Sequence, residues 1–286
     1  MLSTRPIKNS IIHEISSIQA ILNHVHPKSW LIVDLDNTLI EIVQTVGKDQ
    51  WFSTLMRYAC TLPLDKTEAI AAVITIYNAV QHHVSAQAVE ATTVETIKEL
   101  QKKNIPVLAL TARGKEIIHP TLKQLKNVGI DFSEQWGEHQ FPLPIHENNE
   151  QPFFWNGIIC CSGRKKGDCL KIFFDAIDQT PEHITMVDDK LHHLTCVEKT
   201  IEIQGVGFTG LRYNFLDEKI KHVDMDQANR ELTDMAHQFD QFTLQAIEKL
   251  KIPVPIQALI ANSSLKRKHS TDDEEIPQSI VKLRSK

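Results

Sequence analysis

Two aspartates one residue apart close the apolar run Leu31-Ile32-Val33-Asp34-Leu35-Asp36-Asn37-Thr38-Leu39. A run of Leu, Ile and Val reads as a strand buried on both faces. Carboxylates at its C-terminal end do not serve a core, and open α/β sheets bind ligands outside the carboxyl ends of their strands. Asp34 and Asp36 therefore stand where chemistry is expected. Asp and Asn are also ordinary turn and cap residues, so the pair gains its meaning from three further pieces. Val107-Leu108-Ala109-Leu110-Thr111 is a second apolar strand ending in a hydroxyl. Lys165-Lys166-Gly167 precedes the helical pattern Leu170, Phe173, Phe174, Ile177. Ile184-Thr185-Met186-Val187-Asp188-Asp189 is a third strand ending in two carboxylates. Each piece is ordinary alone. Together they bring two acidic pairs, a hydroxyl and a lysine to the ends of buried strands, which packing does not explain.

In this order the pieces resemble the four motifs of the haloacid dehalogenase superfamily, in its phosphatase-like branch: Asp34-x-Asp36-x-Thr38, Thr111, Lys166 and Asp188-Asp189. The resemblance covers about residues 30 to 215, and its first and last motifs are the specific ones. Either lysine of the pair fits the third motif; Lys166 is favoured because it would open the following helix. The resemblance implies that Asp34 is a nucleophile forming an aspartyl-phosphate, which splits the reaction into two steps. Asp36 would protonate the leaving oxygen and later deprotonate water. A carboxylate and a phosphate repel each other, so the site needs a hard cation, and Mg²⁺ is the usual one. The family pattern makes Asp34, the backbone carbonyl of Asp36, and Asp188 its ligands, with Asp189 as a more distant or alternate one. Thr111 would donate to a phosphate oxygen, and Lys166 would neutralise charge on the phosphate and on Asp34. Arg113 has two readings, a phosphate contact or a partner for an acidic neighbour. Asp36 favours a phosphate ester as substrate, since dehalogenases have no leaving oxygen to protonate.

The elements that must position these residues follow from periodicity. Ile11, Ile15, Ile18, Leu22 and Val25 recur every three or four residues and predict an N-terminal helix within residues 1–29. Residues 30–43 and 91–222 make the core, an α/β Rossmann-like three-layer sandwich on a parallel central sheet. Residues 44–90 carry the stripes Trp51, Phe52, Leu55, Met56, Ala59 and Ile70, Val73, Ile74, Tyr77, Val80. By the resemblance they form a small helical cap. Residues 131–158, with Pro142, Pro144, Pro152 and Asn148-Asn149, predict a hairpin or extended insertion, and Asn156-Gly157 is a turn signal. Its aromatic residues are a local core or a substrate wall. Thr200-Ile201-Glu202-Ile203 reads as a further strand. Gly205, Gly207 and Gly210 lack the context of a dinucleotide loop. Helices follow over 223–262, and the polar residues 263–286 form a disordered tail.

Composition narrows the classes. A chain of 286 residues with 42% hydrophobic content suits a core domain with insertions. A formal charge of -5 gives no basic footprint for nucleic acid. Five cysteines without a paired spacing suggest a reducing compartment. No signal peptide or membrane span is evident, so the expectation is a cytoplasmic protein, or one secreted without a cleavable signal. The adjacent histidines His82-His83 and His192-His193 read as surface or partly buried.

A finer resemblance rests on Gly47-Lys48-Asp49-Gln50-Trp51-Phe52, Asn156-Gly157-Ile158-Ile159 and Gly210-Leu211-Arg212-Tyr213. It is to a bacterial group of the same superfamily with no assigned function, some of whose members are described as exported or outer-membrane proteins. Three functions stay open at this stage. One is a Mg²⁺-dependent phosphatase acting on a small phosphorylated metabolite or a phosphoprotein. A catalytically weak interaction protein or secreted effector is the second, and a phosphotransferase using the same residues is the third.

Overall fold

The computed structural model describes residues 10–143 and 151–254. In chain order the elements are β1 (Ser10–Ile15), β2 (Ser29–Val33), β3 (Ile40–Ile42), α1 (Asp49–Ala59), α2 (Lys66–Gln81), β4 (Ala86–Ala88), α3 (Thr93–Lys102), β5 (Val107–Thr111), α4 (Ile118–Val128) and α5 (Ser133–Trp136). They continue as β6 (Gln140–Pro142), β7 (Phe153–Trp155), β8 (Ile158–Cys160), α6 (Lys166–Ile177), β9 (His183–Asp188), α7 (Leu191–Glu202), β10 (Gly207–Tyr213), α8 (Met225–Met235) and α9 (Gln241–Lys249).

Strand side chains alternate between the two faces of the sheet. Leu31 and Val33 of β2 enter one core with Val107 and Ala109 of β5. Trp30 and Ile32 enter the other, with Leu108 and Leu110. Helices α3 and α4 cover the first face through Ile97, Leu100, Ile118 and Leu125. Helices α6 and α7 cover the second through Leu170, Phe173, Leu194 and Val197. The sheet order is β1-β10-β9-β2-β5-β8-β7-β6. The six strands from β1 to β8 are mutually parallel, and β7 and β6 extend the sheet antiparallel. This is the expected three-layer α/β sandwich, with β2 flanked by β9 and β5.

The N-terminal helix is corrected. Residues 10–15 form strand β1, parallel to β10, and Ile18–Asn23 make a short 3-10 turn. The isoleucines fit a helical period, but β-branched residues also favour a pleated ribbon, and the open edge of β10 supplies the partner. Glu90 fixes the turn by accepting from the Ile18 amide at 2.5 Å and from the Tyr213 hydroxyl at 2.6 Å.

The strand predicted at Thr200–Ile203 is also corrected: these residues end or follow α7, and the strand is β10. Ile201 is buried one turn from Val197, while Ile203 is 88% exposed, a helical rather than an alternating pattern. Gly205 turns the chain at φ +70°. Gly210 lies within β10, where a Cβ would come within 2.9 Å of Ile12. Gly205 thus serves a turn and Gly210 sheet packing.

The stretch from 131 to 158 joins the sheet. Asn156 and Gly157 both take positive φ, and Trp155 pairs with Ile158 across the two-residue turn, as a tight hairpin requires. Phe141, Phe154 and Phe173 pack together in the α6 face of the core. Pro144 and Asn148-Asn149 lie outside the described residues, as do the tail from 263 to 286 and the end of the C-terminal helical segment.

Helices α1 and α2 fill the segment expected to be a cap, entered and left through the antiparallel pair β3 and β4; the name cap is kept for them. The cap is larger than its own segment. Trp51, Leu55, Val73 and Ile76 share one core with Leu232 of α8 and Leu244 and Ile247 of α9. Glu231 of α8 accepts from the Val46 amide at 2.8 Å, and Lys249 of α9 pairs with Glu68 at 3.0 Å.

Candidate active site

The register of the sheet assembles the site. Val33 pairs with Val187 on one side and with Ala109 on the other. Asp34 therefore leaves the sheet beside Asp188, and Thr111 ends β5 on the same edge. The Asp34 amide donates to the Val187 carbonyl at 3.0 Å, which holds the first turn residue to β9. The turn closes tightly because Asn37 takes φ +62° and its amide donates to the Ile40 carbonyl. Asn tolerates that left-handed conformation better than most residues. Thr38 Oγ1 donates to Asp34 Oδ2 at 3.3 Å and accepts from the Asp189 amide at 3.1 Å.

Lys166 opens α6 and is buried, whereas Lys165 is exposed. Lys166 Nζ donates to Asp34 Oδ1 at 2.5 Å and to Asp188 Oδ2 at 2.7 Å. Gly167 lets α6 lie against α7, because a Cβ there would meet the Cys196 carbonyl at 2.7 Å. Asp34, Asp188 and Asp189 each place a carboxylate oxygen within 4.8 Å of the others.

Electrostatics separate these carboxylates. Burial raises Asp34, opposed by Lys166 and reinforced by Asp188 and Asp36, and it rests at about 6. Burial, with Asp34 and Asp188 close by, pushes Asp189 up to about 8. Asp188 is fully buried, but Lys166 and His193 outweigh desolvation and hold it at about 2. Lys166 is raised above the ordinary lysine value, because Asp188 and Asp34 overcome its burial. Three carboxylates this close repel one another unless positive charge stands among them.

The donor set fits a hard cation. It is all oxygen, and Asp189 Oδ1 is buried with no hydrogen-bond partner among the described residues. An orphaned buried acceptor is costly, and a cation beside it would remove that cost. Asp34, Asp188 and Asp189 are the residues that could hold such a cation.

Arg113 takes the second of its two readings. Its Nε and Nη2 donate to the two oxygens of Asp36 at 2.8 and 2.7 Å. Burial works to raise Asp36, but Arg113 outweighs it and holds the carboxyl below the usual range. Arg113 Nη1 donates to Gln124 Oε1 at 2.7 Å. Gln124 Nε2 donates to Gln81 of the cap, whose own amide donates to the Gly47 carbonyl at 2.8 Å. A buried chain of polar contacts thus runs from the cap to Asp36. A second link is the Lys190–Asp49 ion pair at 2.9 Å.

Thr111 Oγ1 accepts from the Arg113 amide at 3.2 Å. Sequence reasoning missed His193, whose Nδ1 lies 3.1 Å from Asp188, and the Gln81–Gln124 contact. His193 is five residues past Asp188, about one turn into α7. A histidine at that offset from a site carboxylate was the available signal.

A cavity of about 190 Å³ lies between cap and core, lined by Phe52, Ile74 and Tyr77 from the cap and by Asp36, Arg113 and Ser162 below. Ser162 Oγ is buried there, with no hydrogen-bond partner among the described residues. A wider cavity of about 890 Å³ opens on the other side, beside Asp189, with Lys165, Lys199 and Arg212 in its walls.

Among known proteins, a Chlamydia muridarum protein named "Putative outer membrane protein" is 25% identical over 207 residues, covering 71% of this chain and 76% of its own length. A Chlamydia trachomatis protein of the same name is 24% identical over 208 residues, with the same two shares. A solved hydrolase from Pseudomonas syringae is 13% identical with a TM-score of 0.34, covering 67% of this chain and 99% of that one. That likeness is too slight to bear on activity. Among the described residues, no helix is long and apolar enough to cross a membrane. The sequence profile of one family matches residues 11–250. The chain belongs to that family, described as "Protein of unknown function (DUF2608)".

Proposed function

We propose that this chain is a Mg²⁺-dependent phosphoric ester hydrolase that works through an aspartyl-phosphate on Asp34. The observation that carries the reading is the buried cluster of Asp34, Asp188 and Asp189 with Lys166 bridging two of its members. A fold gains nothing from packing three carboxylates at one sheet edge, since each loses hydration. The resemblance to the haloacid dehalogenase superfamily supplies the roles.

An Asp34 oxygen attacks phosphorus, the bond to the leaving oxygen breaks, and Asp36 gives that oxygen its proton. Water then attacks the same phosphorus, loses its proton to Asp36, and frees Asp34 and phosphate. Lys166 balances the charge of Asp34, and Thr111 donates to a phosphate oxygen. Mg²⁺ supplies the charge that offsets repulsion between the carboxylate and the phosphate. For Asp36 to act, Arg113 must release one of its oxygens. That bidentate pair is the observation favouring the second reading, a catalytically weak protein that binds a partner through this scaffold.

The test is hydrolysis of p-nitrophenyl phosphate with and without Mg²⁺, beside Asp34→Asn. Mg²⁺-dependent release lost in the variant is expected. Equal release from the variant would remove Asp34 as nucleophile, and no release from either would favour the binding protein.

A further inference from the structure

We propose that the cavity beside Asp36 selects the phosphate monoester of a small amino alcohol, a cationic group of about choline size. The inference rests on the phosphatase reading, which makes Asp36 the residue that meets the leaving oxygen. The leaving group therefore lies in the cavity that Asp36 lines.

That cavity measures about 190 Å³, below the roughly 300–1,000 Å³ of pockets that take drug-sized ligands. Its size suits a small leaving group better than a nucleoside or a folded phosphoprotein segment. The cap contributes aromatic surface: Phe52 and Tyr77 stand 4.8 Å apart, tilted by 60°. The charges around them do not cancel. Arg113 is matched by Asp36 at 2.7 Å, and Asp49 is matched by Lys190 at 2.9 Å. Glu116 lines the cavity from an exposed position at its mouth, and among the described residues it has no salt bridge. An aromatic wall beside an unmatched carboxylate suits an ammonium group, which aromatic faces attract. The wider cavity beside Asp189 carries Lys165, Lys199 and Arg212 instead and would suit an anion, but Asp36 does not line it.

The experiment compares kcat/KM for choline phosphate with that for 3,3-dimethylbutyl phosphate, the uncharged isostere, with phenyl phosphate as the general substrate. Full-length protein is used with Mg²⁺. Choline phosphate is expected to exceed the isostere by about tenfold, the size of a desolvated cation–aromatic contact. Glu116→Gln and Phe52→Leu should each narrow that ratio. Equal values for the two esters in the wild type, or a ratio that neither variant changes, would overturn the cationic leaving group while phenyl phosphate turnover keeps the phosphatase. Failure to hydrolyse any of the three esters would overturn the phosphatase reading and this proposal with it.

Discussion

At Asp189 a buried oxygen without a partner and a raised proton affinity describe the same stress. The folded-state value of about 8 lies above the ordinary 3.8. Its stabilising contribution is therefore whole below about pH 3.8 and is lost as pH rises through 8. Asp34, at about 6, acts in the same direction. Asp188, held at about 2, acts oppositely: its contribution is present above 3.8 and lost as pH falls through 2. Without a divalent cation, we predict that the unfolding free energy falls between pH 5 and pH 8.5 by an amount on the order of a few kcal/mol, and that Tm falls with it. Mg²⁺ should raise Tm more at pH 8.5 than at pH 5, and Asp189→Asn should flatten the fall. Thermal melts across that range check it; a Tm independent of both pH and Mg²⁺ would deny the cluster its role.

Arg113 carries a second prediction at the residue scale. It keeps Asp36 ionised at pH values where a general acid should hold a proton. Arg113→Lys keeps the charge but loses the two-pronged contact, so the Asp36 proton affinity should rise. The alkaline limb of kcat/KM against pH should then move upward. An unmoved limb would mean that Asp36 is not the titrating acid.

Elements explain which parts of the site could be read in advance. Asp34, Lys166 and Asp188 were legible because each ends or opens an element whose type its neighbours declare. Apolar runs marked the strands, and Leu170, Phe173 and Phe174 marked the helix. Which of its two readings Arg113 takes, and that its partner is Asp36, was not legible. It depends on how far β5 projects past β2, and nothing local sets that offset. The Gln81–Gln124 contact joins cap to core across 43 positions and leaves no local trace. Residues 10–15 were misread for a different reason. Isoleucines at 11, 12 and 15 satisfy a helical face and a strand equally, and only the open edge of β10 decides between them.

For the whole molecule, the cap is a four-helix unit. Ile247 of α9 is fully buried among α1 and α2 residues, so the C-terminal helices brace the lid above Asp36. Ile247→Ala should cost about 2–5 kcal/mol. Amide exchange should quicken in α1 and α2 as well as in α9. Faster exchange confined to α9 would separate the C-terminal helices from the cap. Such bracing would hold Phe52 and Tyr77 over the small cavity beside Asp36, as the proposed function requires.

The central claim is that Asp34 carries the phosphoryl group. The most direct measurement is acid-quenched mass spectrometry of the full-length protein during turnover of phenyl phosphate with Mg²⁺. We predict a phosphoryl adduct on the peptide containing Asp34, absent in Asp34→Asn and accumulating in Asp36→Asn, where water is no longer deprotonated. Turnover without an adduct on that peptide, or an adduct on another residue, would contradict the account.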